Sequence, residues 1–203
     1  MRIGVLADIH GNQRALAAVQ ADLQKYSPDV VVNLGDHLSG PLQAAATADA
    51  LISEKYLHIR GNHDRQLLDR PVDEMGASDR AAYAQLENRH KVWLQSLPPK
   101  LEIERDIFLC HGSPGDDLQY LLIVNPGSVG LPAYNDTRPL PHCMETGSPH
   151  ARYAVIDREK GSWRVNLLAV EYDWSAASED ARKGNRPDWA HAIASGFALR
   201  TPV

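Results

Sequence analysis

What the chain lacks narrows its class first. No run of about 18 apolar residues occurs, so no helix able to span a membrane is expected. Cysteine is scarce: Cys110 and Cys143 are the only two, and they form neither a metal-type spacing nor a disulfide framework. Reduced thiols and a cytoplasmic location are the simplest expectation. Positive charge is not in excess either, with 21 Lys and Arg against 26 Asp and Glu and a formal net charge of -5. A dedicated nucleic-acid surface would normally be basic, so none is expected. A phosphate substrate is not excluded, because bound cations reverse the local sign. Met1-Arg2-Ile3-Gly4-Val5-Leu6 reads as a strand that starts at once, without the longer apolar stretch and cleavage site of a signal peptide. No internal repeat and no linker interrupts the chain, and its length suits a single domain, residues 1–203.

What is present is a series of apolar runs, each followed by acidic or histidine-bearing residues. Ile3 to Ala7 leads into Asp8-Ile9-His10-Gly11-Asn12, Val30 to Leu34 into Gly35-Asp36, and Tyr56 to Ile59 into Gly61-Asn62-His63-Asp64. Between the first two runs, Ala15, Leu16, Val19 and Leu23 recur at helical spacing behind Asn12, a good N-cap. An Ala- and Leu-rich helix is predicted from Leu42 to Ile52 before a third strand at 55–60. This β-α-β-α-β order predicts a largely parallel sheet. Further on, the pattern predicts a helix from Arg80 to Leu97 stopped by Pro98-Pro99, and strands at 101–104, 107–110 and 122–124. It also predicts an antiparallel hairpin turning at Glu159-Lys160-Gly161-Ser162, and helices at 175–183 and 189–199. The stretch from Ala133 to His150, rich in Pro, His, Asn and Gly, reads as a long loop, either functional or mobile.

In an open parallel sheet, ligands bind at the carboxyl ends of the strands. The tips therefore deliver carboxylates, imidazoles and an amide to one crevice, an oxygen and nitrogen donor set suited to hard or borderline cations. Two divalent ions about 3.5–4 Å apart can clamp and polarise a phosphate and generate hydroxide near neutral pH. Asp36, the single acid at the middle tip, suits a bridging role. Asp8 and His10 suit one ion; Asn62 and His111 suit the other. His63 points elsewhere and is the candidate to touch the phosphate and protonate the leaving group. One Asp or His at a strand end is usually just solvated; it is the recurrence at four tips that indicates a site. Other histidines have plainer readings: His37 at the surface, His58 packed or paired within a strand, His90 solvated on a polar helix face. Cys110 reads as a small buried hydrophobe, and Lys183 with Arg186 as a small solvated basic patch.

The motifs D-x-H-G-N (Asp8 to Asn12), G-D (Gly35, Asp36), G-N-H-D (Gly61 to Asp64), H-G (His111, Gly112) and N-P-G-S-V-G (Asn125 to Gly130) occur in that order. In this the chain resembles the calcineurin-like metallophosphoesterases of the small bacterial phosphodiesterase type. The resemblance implies an α/β fold, a two-sheet sandwich flanked by helices. It implies a dinuclear centre of two divalent metal ions (Mn, Fe, Zn or Ni) on Asp8, His10, Asp36, Asn62 and His111, with His63 as the acid. The family's G-H-x-H element, one histidine for each ion, has no counterpart in this sequence. A strand and helix segment is therefore expected to be absent between Tyr120 and Leu121, either by a real deletion or because a segment is not included in the sequence; the remaining alternative is that His142 and His150, in the long loop, substitute for the missing imidazoles. The leading expectation is hydrolysis of phosphodiesters or phosphomonoesters. The alternatives are a catalytically weakened scaffold that binds a protein partner, and a protein phosphatase or dinucleoside polyphosphate hydrolase.

Overall fold

The computed structural model describes residues 1–104, 107–112, 123–137 and 140–199. Its centre is a five-stranded sheet in the order β3-β2-β1-β8-β9. Strands β1 (Arg2–Leu6), β2 (Val30–Asn33) and β3 (Leu57–His58) run parallel, as the alternating β and α pattern requires. Strands β8 (Ala151–Glu159) and β9 (Ser162–Val170) form the predicted hairpin, and β8 returns antiparallel beside β1. Lys160 and Gly161, the two turn residues, have φ of 49° and 81°, the pair of positive values that a two-residue hairpin turn needs.

The sheet is covered on both faces because its strands alternate. Ile3, Val5, Val32 and Ala154 face a second, two-stranded sheet of β4 (Lys100–Ile103) and β5 (Ile107–Cys110), whose Leu109, Leu101 and Ile107 close that core. Leu6, Tyr153 and Val155 face the other way, onto Leu16, Val19 and Leu23 of helix α1 (Gln13–Leu23). Gly4 lies under that helix, where a Cβ would stand 2.8 Å from Leu23 Cδ1, so the lack of a side chain sets how closely α1 packs. Asn12 caps α1 as expected, its side chain accepting from Ala15 N at 3.1 Å. The expected two-sheet sandwich with flanking helices is the fold present, with strand pairs contributing the smaller sheet.

Several boundaries differ from expectation. Helix α2 runs from Ala44 to Ser53, close to the predicted span. The polar stretch after it holds an unpredicted helix, α3 (Asn62–Asp69), which has few apolar residues to announce it. The single helix expected at 80–97 is two, α4 (Ala77–Tyr83) and α5 (Asn88–Ser96). Gln85, in the break, donates to Leu42 O at 2.8 Å and accepts from Ala44 N at 3.0 Å, which ties the break to the start of α2. Glu87 restarts the helix with its N–H donating to His90 Nδ1 at 3.1 Å. His90 is thus fully buried, with Nε2 2.9 Å from Asp49, and not solvated as the polar face suggested. No strand forms at Ile123 or Val124. The loop expected from Ala133 to His150 contains an exposed hairpin, β6 (Ala133–Asp136) and β7 (His142–Glu145). Helices α6 (Trp174–Lys183) and α7 (Pro187–Ser195) pack together through Ala177, Ala181, Trp189 and Ile193. Among the described residues no helix is long and apolar enough to cross a membrane.

Candidate metal centre

Beyond β1 and β2 the two chains keep bonding to each other. Asp8 N donates to Gly35 O at 3.0 Å, His10 N to Asp36 O at 3.0 Å and Gly11 N to His37 O at 2.9 Å. Asp8, His10 and Asp36 all adopt left-handed backbone, with φ of 54°, 53° and 55°. For residues other than glycine this conformation is uncommon and costs energy, so the surrounding bonds must hold it. The 125–130 motif contributes: Ser128 Oγ and Gly130 N both donate to Asp8 O, at 2.9 and 3.0 Å. Gly35, at φ 105°, passes so close to α3 that a Cβ would sit 2.5 Å from Gly61 N.

All six residues expected at the site line one cavity of about 470 Å³: Asp8, His10, Asp36, Asn62, His63 and His111. Asp8, His10 and Asp36 each offer a ligand atom within 4.8 Å of the others. His10 Nδ1 lies 2.8 Å from Ser39 O, and His111 Nδ1 2.8 Å from Leu34 O. A carbonyl only accepts, so both Nδ1 atoms carry hydrogen and both Nε2 atoms are left for the site. His111 Nε2 then lies 3.0 Å from Asn62 Oδ1 and 3.3 Å from Asp36 Oδ2. In a neutral ring that nitrogen would turn a lone pair on two acceptor oxygens, an arrangement that only a cation, proton or metal, makes favourable. Burial lowers the His111 pKa, but its bond to Asp36 and the charges of Asp36 and Asp8 outweigh this and hold it at about 9. Burial raises the Asp8 pKa, against the pull of His10 and with the help of Asp36. For Asp36 burial is overcome by His111, His10 and His63, so its carboxyl is held low and charged. Two imidazole Nε2 atoms, two carboxylates and a carboxamide oxygen lining one cavity are a donor set that fits divalent cations.

His63 stands apart in the same cavity. Its N–H donates to Asp36 Oδ1 at 2.9 Å, while its ring Nδ1 lies 2.9 Å from Asp79 Oδ1. Nδ1 carries the hydrogen that the carboxylate accepts, which turns Nε2 to the cavity. Ser39 Oγ also donates to Asp79 Oδ1, at 2.6 Å. Burial lowers the His63 pKa, but Asp79 and Asp36 raise it further, so the net shift is upward.

Sequence reasoning missed Asp64 and Asp79. Asp64 is fully buried and accepts from Asp36 N, Gly61 N, His37 N and His37 Nδ1 at 2.9, 2.9, 3.0 and 2.7 Å. Its place at the third residue of α3, bonded back to the residue before the helix, is a capping signal that the sequence did carry. Burial raises its pKa, yet His37 and the backbone donors win and the carboxyl is held low. Asp79, on α4, had no signal at all. His37 is fully buried between Asp64 and His58, not at the surface, because Asp64 needs a partner beneath the β2 tip. His58 is packed and paired as expected, and burial beside His37 pushes its pKa down to about 3. Arg186 is not a solvated patch: it lines the cavity, bonded to Ser78 and Asp188 and set over Trp189. Neither His142 nor His150 lines the cavity; His142 lies on exposed β7 and His150 bonds Ser148. Cys110 is half-buried, and both cysteines are free of disulfides. Tyr120 and Leu121, the expected junction, lie outside the described residues.

A sequence model of the calcineurin-like phosphoesterases matches residues 1–159. The crystal structure of a metallophosphoesterase from Sphaerobacter thermophilus is similar in fold, with TM-score 0.74 and 23% identity over 97% of this chain and 99% of that one. A protein provisionally described as a diadenosine tetraphosphatase is similar with TM-score 0.52 and 15% identity over 84% of this chain and 94% of that one. No curated protein sequence matches. The family pattern covers most of the chain, and Asp8, His10 and Asp36 lie close enough to share a metal ion, so this chain belongs to the calcineurin-like phosphoesterases, metal-dependent hydrolases of phosphate esters.

Proposed function

We propose that the chain hydrolyses phosphodiesters or phosphomonoesters, using Asp8, His10, Asp36, Asn62 and His111 to hold two divalent ions and His63 as general acid. The observation that carries this reading is the pair of imidazoles whose Nδ1–H groups are committed to backbone carbonyls, leaving Nε2 of each facing the Asp8 and Asp36 carboxylates. Asp36 serves both halves: Oδ2 faces His111 and Oδ1 orders the backbone of His63. When bound, two such ions neutralise and polarise the phosphate and supply hydroxide near neutral pH. His63 Nε2 gives its proton to the leaving oxygen while Asp79 keeps the ring in one tautomer and orientation. The carboxylate-rich, oxygen-weighted donor set favours manganese over a thiophilic metal.

Purified protein with added manganese should release p-nitrophenol from bis-p-nitrophenyl phosphate, and Asp36→Asn should reduce turnover at least ~100-fold. A protein that binds less than one ion and turns over no ester with any of manganese, iron, zinc or nickel is instead the scaffold.

A further inference from the structure

The cavity does not end at the strand tips. It continues outward along a wall from β6, α7 and the segment after α7, to which Leu131, Ala133, Tyr134, Trp189 and Leu199 contribute. The backing of this wall is firm: Leu131, Ala133 and Trp189 belong to the buried cluster under α6 and α7. Its front is open and mixed: Tyr134 and Leu199 are 43% and 40% exposed, with Asn135 and Asp136 of the strand that carries Tyr134 beside them. Asn135 Nδ2 donates to Leu199 O at 3.3 Å, which joins the two sides of this front.

Charge decides what such a wall can hold. Among the described lining residues Arg186 is the only lysine or arginine. Its Nε and Nη2 lie 2.9 and 2.6 Å from the Asp188 carboxylate, and Nη1 lies 2.6 Å from Ser78 Oγ. A second or third phosphate would need unpaired cationic donors here, and among the described lining residues the one arginine is already paired with Asp188. A ring needs the opposite: an aromatic face, aliphatic contacts and a few polar groups at the rim. Tyr134 provides the face, and the Asp188 carboxylate has lone pairs left to accept from sugar hydroxyls.

We propose that the outer half of this cavity is a subsite for an uncharged ring of nucleoside size carried on the phosphate ester. The substrate class is then a nucleotide-type ester with one phosphate at the strand tips, not a polyphosphate. This rests on the phosphoesterase reading, which it narrows to a substrate class.

The test separates the two. Thymidine alone, without phosphate or metal, is offered to the metal-free protein and followed by saturation-transfer NMR. Saturation should reach the base protons, inorganic triphosphate should not compete, and Tyr134→Ala should weaken thymidine binding about ten-fold, while Tyr134→Phe retains it. Tyr134 is exposed on a hairpin, so its replacement leaves the core intact. With manganese, kcat/KM for the p-nitrophenyl ester of thymidine 5′-monophosphate should exceed that for methyl p-nitrophenyl phosphate about ten-fold, and Tyr134→Ala should remove most of that ratio. The proposal is overturned if thymidine does not bind, if Tyr134→Ala leaves its binding unchanged, or if a dinucleoside tetraphosphate or a phosphoserine peptide is the faster substrate. Absence of turnover on every ester refutes the phosphoesterase reading, and thymidine binding still decides the subsite.

Discussion

Asp64→Asn tests whether the centre depends on a residue that touches no ligand. Two carboxylate oxygens take four N–H donors, all within 3.0 Å and all out of water. Asparagine has one acceptor oxygen. Placed where Oδ2 is, it keeps Asp36 N, Gly61 N and His37 Nδ1 but turns its NH₂ on His37 N–H. Placed where Oδ1 is, it loses three donors. The better choice still leaves a buried N–H unpaired, at about 1–3 kcal/mol, and replaces charge-assisted bonds by weaker neutral ones. A total of about 3–5 kcal/mol follows, the usual cost of breaking a buried pair from one side. For a chain of this size that lowers Tm by roughly 10 °C. Because the lost bonds hold Asp36 and the start of α3, manganese affinity should also fall by about 10–100-fold. The Asp64 carboxyl is held low in the fold, so its stabilising effect is present above the unfolded carboxyl pKa and is lost as pH falls through the folded value. The difference between wild type and variant should therefore be full at pH 7 and shrink below about pH 4. Calorimetry of the metal-free proteins across that range measures it. A Tm within about 2 °C of wild type at pH 7 would refute the reasoning.

Two further substitutions probe other links. Asp79→Asn keeps an acceptor for His63 Nδ1–H but removes the charge that raises its pKa. The acid works below its pKa, so the alkaline limb of kcat/KM should move about one unit to lower pH. The loss should be larger for phenyl phosphate than for p-nitrophenyl phosphate, whose leaving group needs less protonation; equal losses and an unmoved limb would exclude the role. Gly35→Ala puts a side chain at φ 105° and against Gly61 N. It should cost about 3 kcal/mol, read as a drop in Tm of several degrees, and any smaller effect means the two loops are not tightly joined.

The parallel core and the ligand candidates were legible from local pattern. Ile3 to Ala7 and Val30 to Val32 are continuous apolar runs, and the acids and imidazoles follow within a few residues, so pattern and position carry the information. Helix α3 was not legible, because its residues are mostly polar and its fixed start comes from Asp64 bonding across to the β2 tip. The break between α4 and α5 depends on Gln85 reaching α2, a contact 41 residues away along the chain. His37 and His90 were misread for the same reason: polar residues are normally exposed, and only distant carboxylates, Asp64 and Asp49, make their burial tolerable.

By itself, then, the sequence determined the candidate donors, the parallel order of the first three strands and the family to which they point. Those features lie in residues close together along the chain, where spacing and side-chain chemistry act without help. The tertiary structure alone decided which nitrogen of His10 and His111 faces the site, that Asp79 orients His63, and that α7 and β6 extend the cavity into a wall of mixed apolar and polar residues. Each of these depends on a hydrogen bond or packing contact between segments far apart in sequence, whose geometry exists only once the core has closed.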